Sequence, residues 1–164
     1  MAVLDHRIDD RLIHGQVVGY WIPYYGVDKI LIVDDLIVKD KLRQTALKFG
    51  TPSGVKLSFY DAKTCADKLK RRLDKGSNVM VLCNGPKALL DMYNEGYHFK
   101  RITVGNMTPE KGAEYHLKKT LFLSDSTLGE FKELLANDVE IVVQIVPNDK
   151  EEKLTDLLEK EGIN

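Results

Sequence analysis

Short apolar segments that alternate with amphipathic helical patterns constrain the fold of this chain more than any other feature. Several of these segments are apolar at nearly every position, which is typical of parallel strands buried on both faces, and the stretches between them repeat apolar residues at helical spacing. The seven predicted strands are residues 3–8, 29–33, 55–60, 79–83, 101–104, 119–123 and 140–146. The alternation predicts an α/β fold with an open, mostly parallel, seven-stranded sheet and helices on both faces.

Length and composition are those of one globular domain. The chain has 164 residues, enough for a full hydrophobic core, and it contains no internal repeat, low-complexity run or linker. Residues 1–164 are therefore predicted to form a single domain. The formal net charge of −1 creates no global field that would attract nucleic acid or an anionic membrane, so we expect no nucleic-acid partner.

The sequence also indicates a cytoplasmic protein. Met1 is followed by no apolar signal region, and no apolar run is long enough to span a bilayer. The two cysteines, Cys65 and Cys83, have no metal-ligand spacing to each other or to a histidine. We interpret both as buried thiols in a reducing compartment. Any membrane contact is expected to come through a partner.

A polar stretch after the first predicted strand carries the candidate site. Asp9, Asp10 and Arg11 interrupt the apolar pattern, and a helical pattern begins after His14 with its apolar face at positions 17, 18, 21 and 22. His14 is therefore predicted to lie at a strand-to-helix turn. In an open parallel sheet these turns meet at the carboxyl edge of the strands, where ligands bind.

The start of this helix has the features of an anion site. The backbone amides of Gly15, Gln16 and Val17 are predicted to lack helical partners and to carry the positive end of the helix dipole, which favours phosphate. Gly15 allows close approach of an oxyanion because no side chain blocks the backbone. Arg11 adds a permanent cation whose planar fork suits phosphate oxygens. Arg11, Gly15 and Gln16 are the predicted phosphate-binding residues.

An imidazole beside such an anion site predicts phosphohistidine chemistry. His14 is a competent nucleophile when neutral, and a carboxylate hydrogen-bonded to its ring can orient it. Either Asp9 or Asp10 can serve, and we assign the orienting role to Asp10. The other histidines have no comparable neighbours and are interpreted as structural or surface residues: His6, His98 and His116.

The same residues carry a family resemblance. The run from Arg7 to Val17, with Trp21 on the following helix, closely resembles the IIB component of the bacterial phosphotransferase system, of the mannose/fructose/sorbose branch. The resemblance implies that His14 accepts a phosphoryl group from the IIA component and passes it to sugar at the membrane components IIC and IID. It also implies a central first strand, phosphorylation on the δ nitrogen, and a Val-Gly-Gly-Met-like turn where this chain has Gly105-Asn106-Met107.

Phosphoryl transfer of this kind requires in-line placement of donor and acceptor plus charge stabilisation. We therefore expect a transferase component that needs no metal or other cofactor, and no nucleotide-type Gly-rich phosphate loop is present. The site is expected to be exposed, because two different partners must reach it in turn.

Two alternatives of other classes remain at this point. One is a receiver-like signalling domain phosphorylated on aspartate, since Asp9, Asp10 and Asp61 follow predicted strands one and three. Residues 104–106 at the end of strand five lack the lysine that such a site uses. The other is a non-catalytic module whose glycine turns bind a nucleotide or a sugar phosphate.

Overall fold

A computed structural model describes residues 3–109 and 111–164. The strands are β1 Val3–Ile8, β2 Lys29–Val33, β3 Lys56–Tyr60, β4 Val79–Cys83, β5 Arg101–Val104, β6 Ala113–Lys118, β7 Leu121–Ser124, β8 Glu140–Val143 and β9 Glu152–Lys153. A π-helical turn, Val17–Trp21, continues into α1, Ile22–Tyr25, and a 3₁₀ turn covers Ile37–Lys39. The remaining helices are α2 Lys41–Phe49, α3 Ala62–Lys70, α4 Pro86–Asn94, α5 Asp125–Ala136 and α6 Leu154–Lys160.

One seven-stranded sheet organises the molecule, in the order β3-β2-β4-β1-β5-β8-β9. The first six strands of this order are parallel, and β9 is antiparallel to β8. The predicted fold class is confirmed. As the resemblance implies, β1 is the central strand, with β4 on one side and β5 on the other.

The membership of the sheet differs from the prediction in two places. The sixth predicted strand, residues 119–123, corresponds to β7, which pairs with β6 in a separate two-stranded antiparallel sheet. The seventh strand of the main sheet is instead β9, which has two residues and is too short to show a sequence period. The last helix begins at Leu154, directly after this strand.

The helices cover both faces of the sheet and bury two separate clusters. From β1 the chain runs through the π-helical turn towards β2 on one side, whereas from β4 it crosses to β5 on the other side. Right-handed crossovers in opposite directions place their helices on opposite faces. One cluster contains buried residues of the π-helical turn and α2, and the other contains those of α3 to α6. The direction of winding therefore reverses at β1, which is where ligands bind in open α/β sheets.

Within the residues that the model describes, no helix combines the length and apolar character needed to cross a membrane.

Candidate functional site

The turn that leaves β1 is pinned to both neighbouring strands. The backbone N–H of Asp9 donates to the carbonyl of Cys83 at the end of β4 (2.9 Å), and that of Asp10 donates to the carbonyl of Asn106 beyond β5 (2.9 Å). Leu12 N–H donates to the Asp9 carbonyl (2.9 Å) and closes the turn. Leu12 has φ of +56°, a left-handed conformation that is costly for a leucine, and its complete burial holds it there.

This turn delivers His14 to the carboxyl edge of the sheet with its two ring nitrogens in different surroundings. Nε2 lies 2.9 Å from Oδ2 of the fully buried Asp9. Nδ1 accepts a hydrogen bond from the backbone N–H of Gln16 at 3.4 Å. Because Nδ1 accepts, the neutral ring must carry its proton on Nε2, where it faces the carboxylate. The lone pair of Nδ1 therefore points at the start of the helix.

The contact between His14 and Asp9 is short but poorly aligned. Nε2 is buried and meets no hydrogen-bond geometry within the described part of the chain, although the carboxylate oxygen is at ion-pair distance. Catalytic hydrogen bonds are often misaligned before a partner binds and become aligned in the reacting complex.

Several donors keep Asp9 ionised in spite of its burial. Burial alone raises the pKa of Asp9, but the short contact with His14 outweighs this, together with the backbone N–H of Arg11 and the side chain of Asn106, so the pKa lies below its usual value. The Arg11 N–H donates to Oδ1 at 3.1 Å, and Asn106 Nδ2 donates to Oδ2 at 3.2 Å. Asp9 is therefore an anion beneath the imidazole at neutral pH.

The assignment of the orienting role to Asp10 is corrected by this geometry. Asp10 Oδ2 accepts hydrogen bonds from the backbone N–H and the hydroxyl of Thr108, at 2.5 and 2.6 Å, and anchors the loop after β5. The carboxylate beside the His14 ring is that of Asp9, which continues the buried line of β1. Asp10 lies one residue further on, where the chain has already turned away.

Of the predicted phosphate-binding residues, Gln16 contacts Nδ1 through its backbone N–H. The first helical hydrogen bond joins Val18 N–H to the His14 carbonyl (2.9 Å), so the amides of residues 15–17 precede the bonded helix. Gly15 is exposed, and a Cβ built on it meets no atom within 4 Å, which leaves its backbone open to an oxyanion. Arg11 is exposed and Gln16 is half-buried.

The His14 ring is less exposed than predicted. Its side chain is only 7% exposed, although exposed Arg11 and Gly15 flank it. The ring therefore does not protrude from the surface.

A buried arginine beneath the site was not predicted to have any role. Arg7 is completely buried, stacks over Trp21 with its guanidinium carbon 4.1 Å from the ring centre, and donates from Nη2 to the carbonyls of Gln144 (2.8 Å) and Ile145 (3.2 Å). Trp21 Nε1 donates to the same Ile145 carbonyl (2.8 Å). These bonds divert the chain after β8, so the predicted strand 140–146 ends at Val143. A charged residue inside an apolar strand was the available signal.

Gly105 is required by the close approach of these charged groups. A Cβ at this position would lie 2.6 Å from Asp9 Oδ2 and 2.8 Å from Arg7 Nη2, distances that side chains do not tolerate. Any larger residue would displace the carboxylate that contacts His14. The glycine of the Gly105-Asn106-Met107 turn therefore has a steric function at the site.

The strand order does not favour the receiver-like alternative. In receiver-type sheets, ordered 2-1-3-4-5, the first and third strands are adjacent. Here β4 and β2 separate β1 from β3, which puts the ends of β1 and β3 about 14 Å apart at the usual strand spacing. Asp61 caps α3 by accepting from the Thr64 N–H at 2.7 Å.

Comparisons with known proteins agree on one family. Residues 3–164 match the family model described as PTS system sorbose subfamily IIB component. The chain is 30% identical over 152 residues to the N-acetylgalactosamine-specific phosphotransferase enzyme IIB component 2 of Escherichia coli (strain K12), covering 93% of this chain and 96% of that protein. It is also 30% identical over 154 residues to the mannose-specific EIIAB component of the same organism, covering 94% of this chain but 47% of that longer protein.

A solved structure confirms the architecture. The IIB domain of the sorbose permease from Klebsiella pneumoniae superposes with a TM-score of 0.89 at 26% identity, covering 98% of each chain. The similarity therefore extends over the whole sheet and its helices, and is not confined to the turn around His14.

Proposed function

Because the chain belongs to the sorbose subfamily of IIB components of the phosphotransferase system, we propose that His14 is its phosphoryl carrier. In this proposal a phosphohistidine of the IIA component is the donor. The acceptor is sugar entering through the membrane components IIC and IID, so the chain works at the cytoplasmic side of the membrane. Its activity is that of a protein-N(π)-phosphohistidine–sugar phosphotransferase component.

The observation that carries the proposal is the unequal environment of the two His14 nitrogens. Nδ1 faces the backbone amide of Gln16, and Nε2 faces the buried carboxylate of Asp9. In the first step the Nδ1 lone pair attacks phosphorus, and the bond from phosphorus to the donor nitrogen breaks with its electron pair leaving on the donor imidazole. The proton on Nε2 stays in place, and Asp9 stabilises the positive charge of the phosphorylated ring.

The surrounding groups act on the charge of the transferred phosphoryl. In this proposal the amides of Gly15 and Gln16, with the Arg11 guanidinium, hold its equatorial oxygens as it moves between nitrogens. In the second step a sugar hydroxyl attacks phosphorus, the bond to Nδ1 breaks, and the hydroxyl proton passes to solvent or to a base of the membrane component. The His14 ring returns to its starting tautomer.

The nearby cysteine is a poor alternative acceptor. Cys83 adjoins the site through its backbone, but its thiol is completely buried and burial raises its pKa well above the usual value. Thiolate is the nucleophilic form of cysteine, so a thiol in this environment is inert. This supports the histidine as the acceptor.

The IIA component is proposed to dock partly on α2. The outward face of this helix presents Leu42 and Phe49, which are 83% and 94% exposed, and the helix carries three cations and no acid. Its end meets the reactive turn, since a Cβ on Gly50 would lie 3.4 Å from Ile13. Exposed apolar residues of this size typically mark interaction surfaces, and the cations suit an anionic phosphoryl donor. The fused EIIAB relative supports a IIA partner.

Incubation with phosphorylated IIA component tests the proposal. We expect phosphate to be retained through gel filtration, to be released by mild acid and to survive alkali. A label that alkali removes would identify an aspartyl phosphate and support the receiver-like alternative. Loss of all phosphate on gel filtration would support a binding module.

A further inference from the structure

Asn106 connects the groups that contact the two nitrogens of His14. Its side-chain Nδ2 donates to Asp9 Oδ2 at 3.2 Å and to Gln16 Oε1 at 2.9 Å. Its backbone N–H also faces Asp9 Oδ2 at 3.4 Å. The residue is buried, with 9% of its surface exposed.

The chemistry of these partners determines how both amides are oriented. An ionised carboxylate only accepts hydrogen bonds, so the Asn106 atom that faces Asp9 must be the NH₂ group. The same NH₂ group contacts Gln16, which must therefore present its carbonyl oxygen. The Gln16 NH₂ group is left with no hydrogen-bond acceptor among residues 3–109 and 111–164, and it lies on the residue whose backbone faces Nδ1.

We propose that Asn106 is a positioning residue that holds Asp9 beneath Nε2 of His14 and turns the Gln16 side-chain NH₂ into a phosphate donor beside Nδ1. The inference rests on the proposed function of His14. One side chain thereby sets both the tautomer of the nucleophile and the orientation of a group that receives the phosphoryl oxygens.

We call the two hydrogen bonds of the Asn106 side chain, to Asp9 and to Gln16, the clamp. The clamp depends on the asparagine side chain and not on the backbone of the turn. The turn that the resemblance implies has glycine at position 106, and glycine offers only a backbone N–H. That N–H makes the longer of the two contacts to Asp9 and reaches no side-chain atom of Gln16. The asparagine side chain therefore adds the link between Asp9 and Gln16.

The test compares Asn106→Ala with Asn78→Ala, a matched loss of a side-chain amide at the opposite edge of the sheet, where Asn78 Nδ2 donates to the Gly26 carbonyl. In single-turnover transfer from phosphorylated IIA component, Asn106→Ala should lower the first-order rate at saturating donor roughly 10- to 100-fold. The donor concentration at half-maximal rate should not change. Asn78→Ala should match the wild type.

A second readout does not depend on activity. In the unphosphorylated protein labelled with ¹⁵N-histidine, the wild-type His14 should be the Nε2-protonated tautomer, and Asn106→Ala should populate the Nδ1-protonated form. Asn106→Asp puts an oxygen against Asp9, so its rate relative to wild type should be lowest at pH 8 and recover towards pH 5.5 as the pair takes up a proton. Unchanged tautomer and rate in Asn106→Ala would overturn the inference.

Two controls keep the outcomes distinct. Wild-type protein that takes up no phosphate on His14 would refute the proposed function, whereas normal wild-type labelling with an unaffected Asn106→Ala refutes only the role of Asn106. If Asn106→Ala and Asn106→Asp both fail to fold, the wild-type spectrum is the test. Nuclear Overhauser contacts between the side-chain amides of residues 106 and 16 would support the clamp, and their absence would contradict it.

Discussion

One histidine lies within β1 and another follows it, and the two have different partners. His6, the fourth residue of the strand, is 7% exposed, is hydrogen-bonded through Nε2 to the Tyr97 hydroxyl at 2.7 Å, and stacks on Phe99 at 4.7 Å. His14, six residues beyond the end of β1, is half-buried as a residue, although its side chain is only 7% exposed, and it contacts a carboxylate and the backbone amide of Gln16. Both rings are largely covered, and their partners differ.

The surroundings of the two histidines have opposite effects on a positive charge on the ring. Burial among aromatic rings lowers the pKa of His6 to about 4, so its charged form is excluded. His14 instead faces an anion that can stabilise the positive charge that the proposed phosphorylation would create. A cavity of about 1100 Å³ is lined by His6 and not by His14. The proposed carrier is therefore distinguished by its neighbouring carboxylate and helix amides and not by the volume of a cavity.

Replacing each histidine in a separate variant should give the largest difference. His14→Ala should abolish phosphate incorporation from IIA component with the fold intact, because the nucleophile is gone. His6→Phe should incorporate phosphate normally. Labelling is measured on both variants, with circular dichroism as the control for folding. Normal labelling of His14→Ala would refute the assignment of the carrier.

The two neighbouring aspartates should differ almost as much. Asp9→Asn should lower the transfer rate about 10²- to 10⁴-fold, because an amide can present its NH₂ to Nε2 and force the proton onto Nδ1. Asp10→Asn keeps an acceptor for Thr108 and should change the rate by about threefold or less. Single-turnover kinetics on both variants measure this. The reverse order of effects would restore Asp10 as the orienting residue.

Because His6 is held neutral by burial, we expect it to affect how the free energy of unfolding depends on pH, and not the rate of transfer. Unfolded His6 takes up a proton near pH 6.5 and folded His6 only near 4, so its contribution to the free energy of unfolding is lost as pH falls through this window. Burial raises the pKa of the adjacent Asp5 to about 6, against the effects of Arg7 and Thr103. Folded Asp5 therefore takes up its proton first, and acid stabilises the fold through this group.

His6→Phe should expose this compensation. Relative to wild type, the free energy of unfolding of the variant should rise by about 2 kcal/mol between pH 6.5 and 4.5. Urea unfolding at the two pH values measures the difference, in which the lost Tyr97 hydrogen bond cancels. A parallel pH dependence of the two proteins would show that His6 is not held neutral.

On the solvent side of His14, effects should be smaller. Arg11→Ala should slow transfer about tenfold at low salt and less at high salt, because an exposed charge is screened. The first-order rate should fall more than docking weakens, which single-turnover kinetics at varied donor concentration can contradict.

The docking surface should give the smallest effect. Phe49→Ser should raise the KM for phosphorylated IIA component about fivefold with kcat unchanged, since truncation of a central apolar residue weakens association. Leu73→Ser removes another exposed leucine, 51% exposed and outside α2, and should have no effect on KM. Equal effects of both variants would argue against α2 as the landing site.

Much of the fold was predictable because local periods determine strands and helices, and right-handed crossovers then restrict the topology. β9 was not predicted because two residues show no period. β7 was assigned to the main sheet because the apolar pattern of a strand does not indicate which strand it pairs with. The position of His14 between β1 and the following helix was predictable, since the strand-to-helix turn is a local feature.

The remaining site residues depend on contacts between distant parts of the chain. The choice between Asp9 and Asp10 could not follow from alternation, because β1 is central and every residue from Asp5 to Asp9, one position beyond the strand, is buried. Asn106 reaches Asp9 across 97 residues of sequence. No local pattern encodes such a contact.

Identifying the nitrogen that carries the phosphoryl group is the sharpest test of the mechanism proposed for His14. Long-range ¹H–¹⁵N spectra of ¹⁵N-histidine-labelled protein, recorded before and after phosphorylation by IIA component, identify it. We predict an Nε2-protonated His14 before the reaction and a phosphorus-coupled Nδ1 of His14 after it. Phosphorus on Nε2, or on any other residue, would contradict the arrangement of Asp9 and the helix amides as the basis of function.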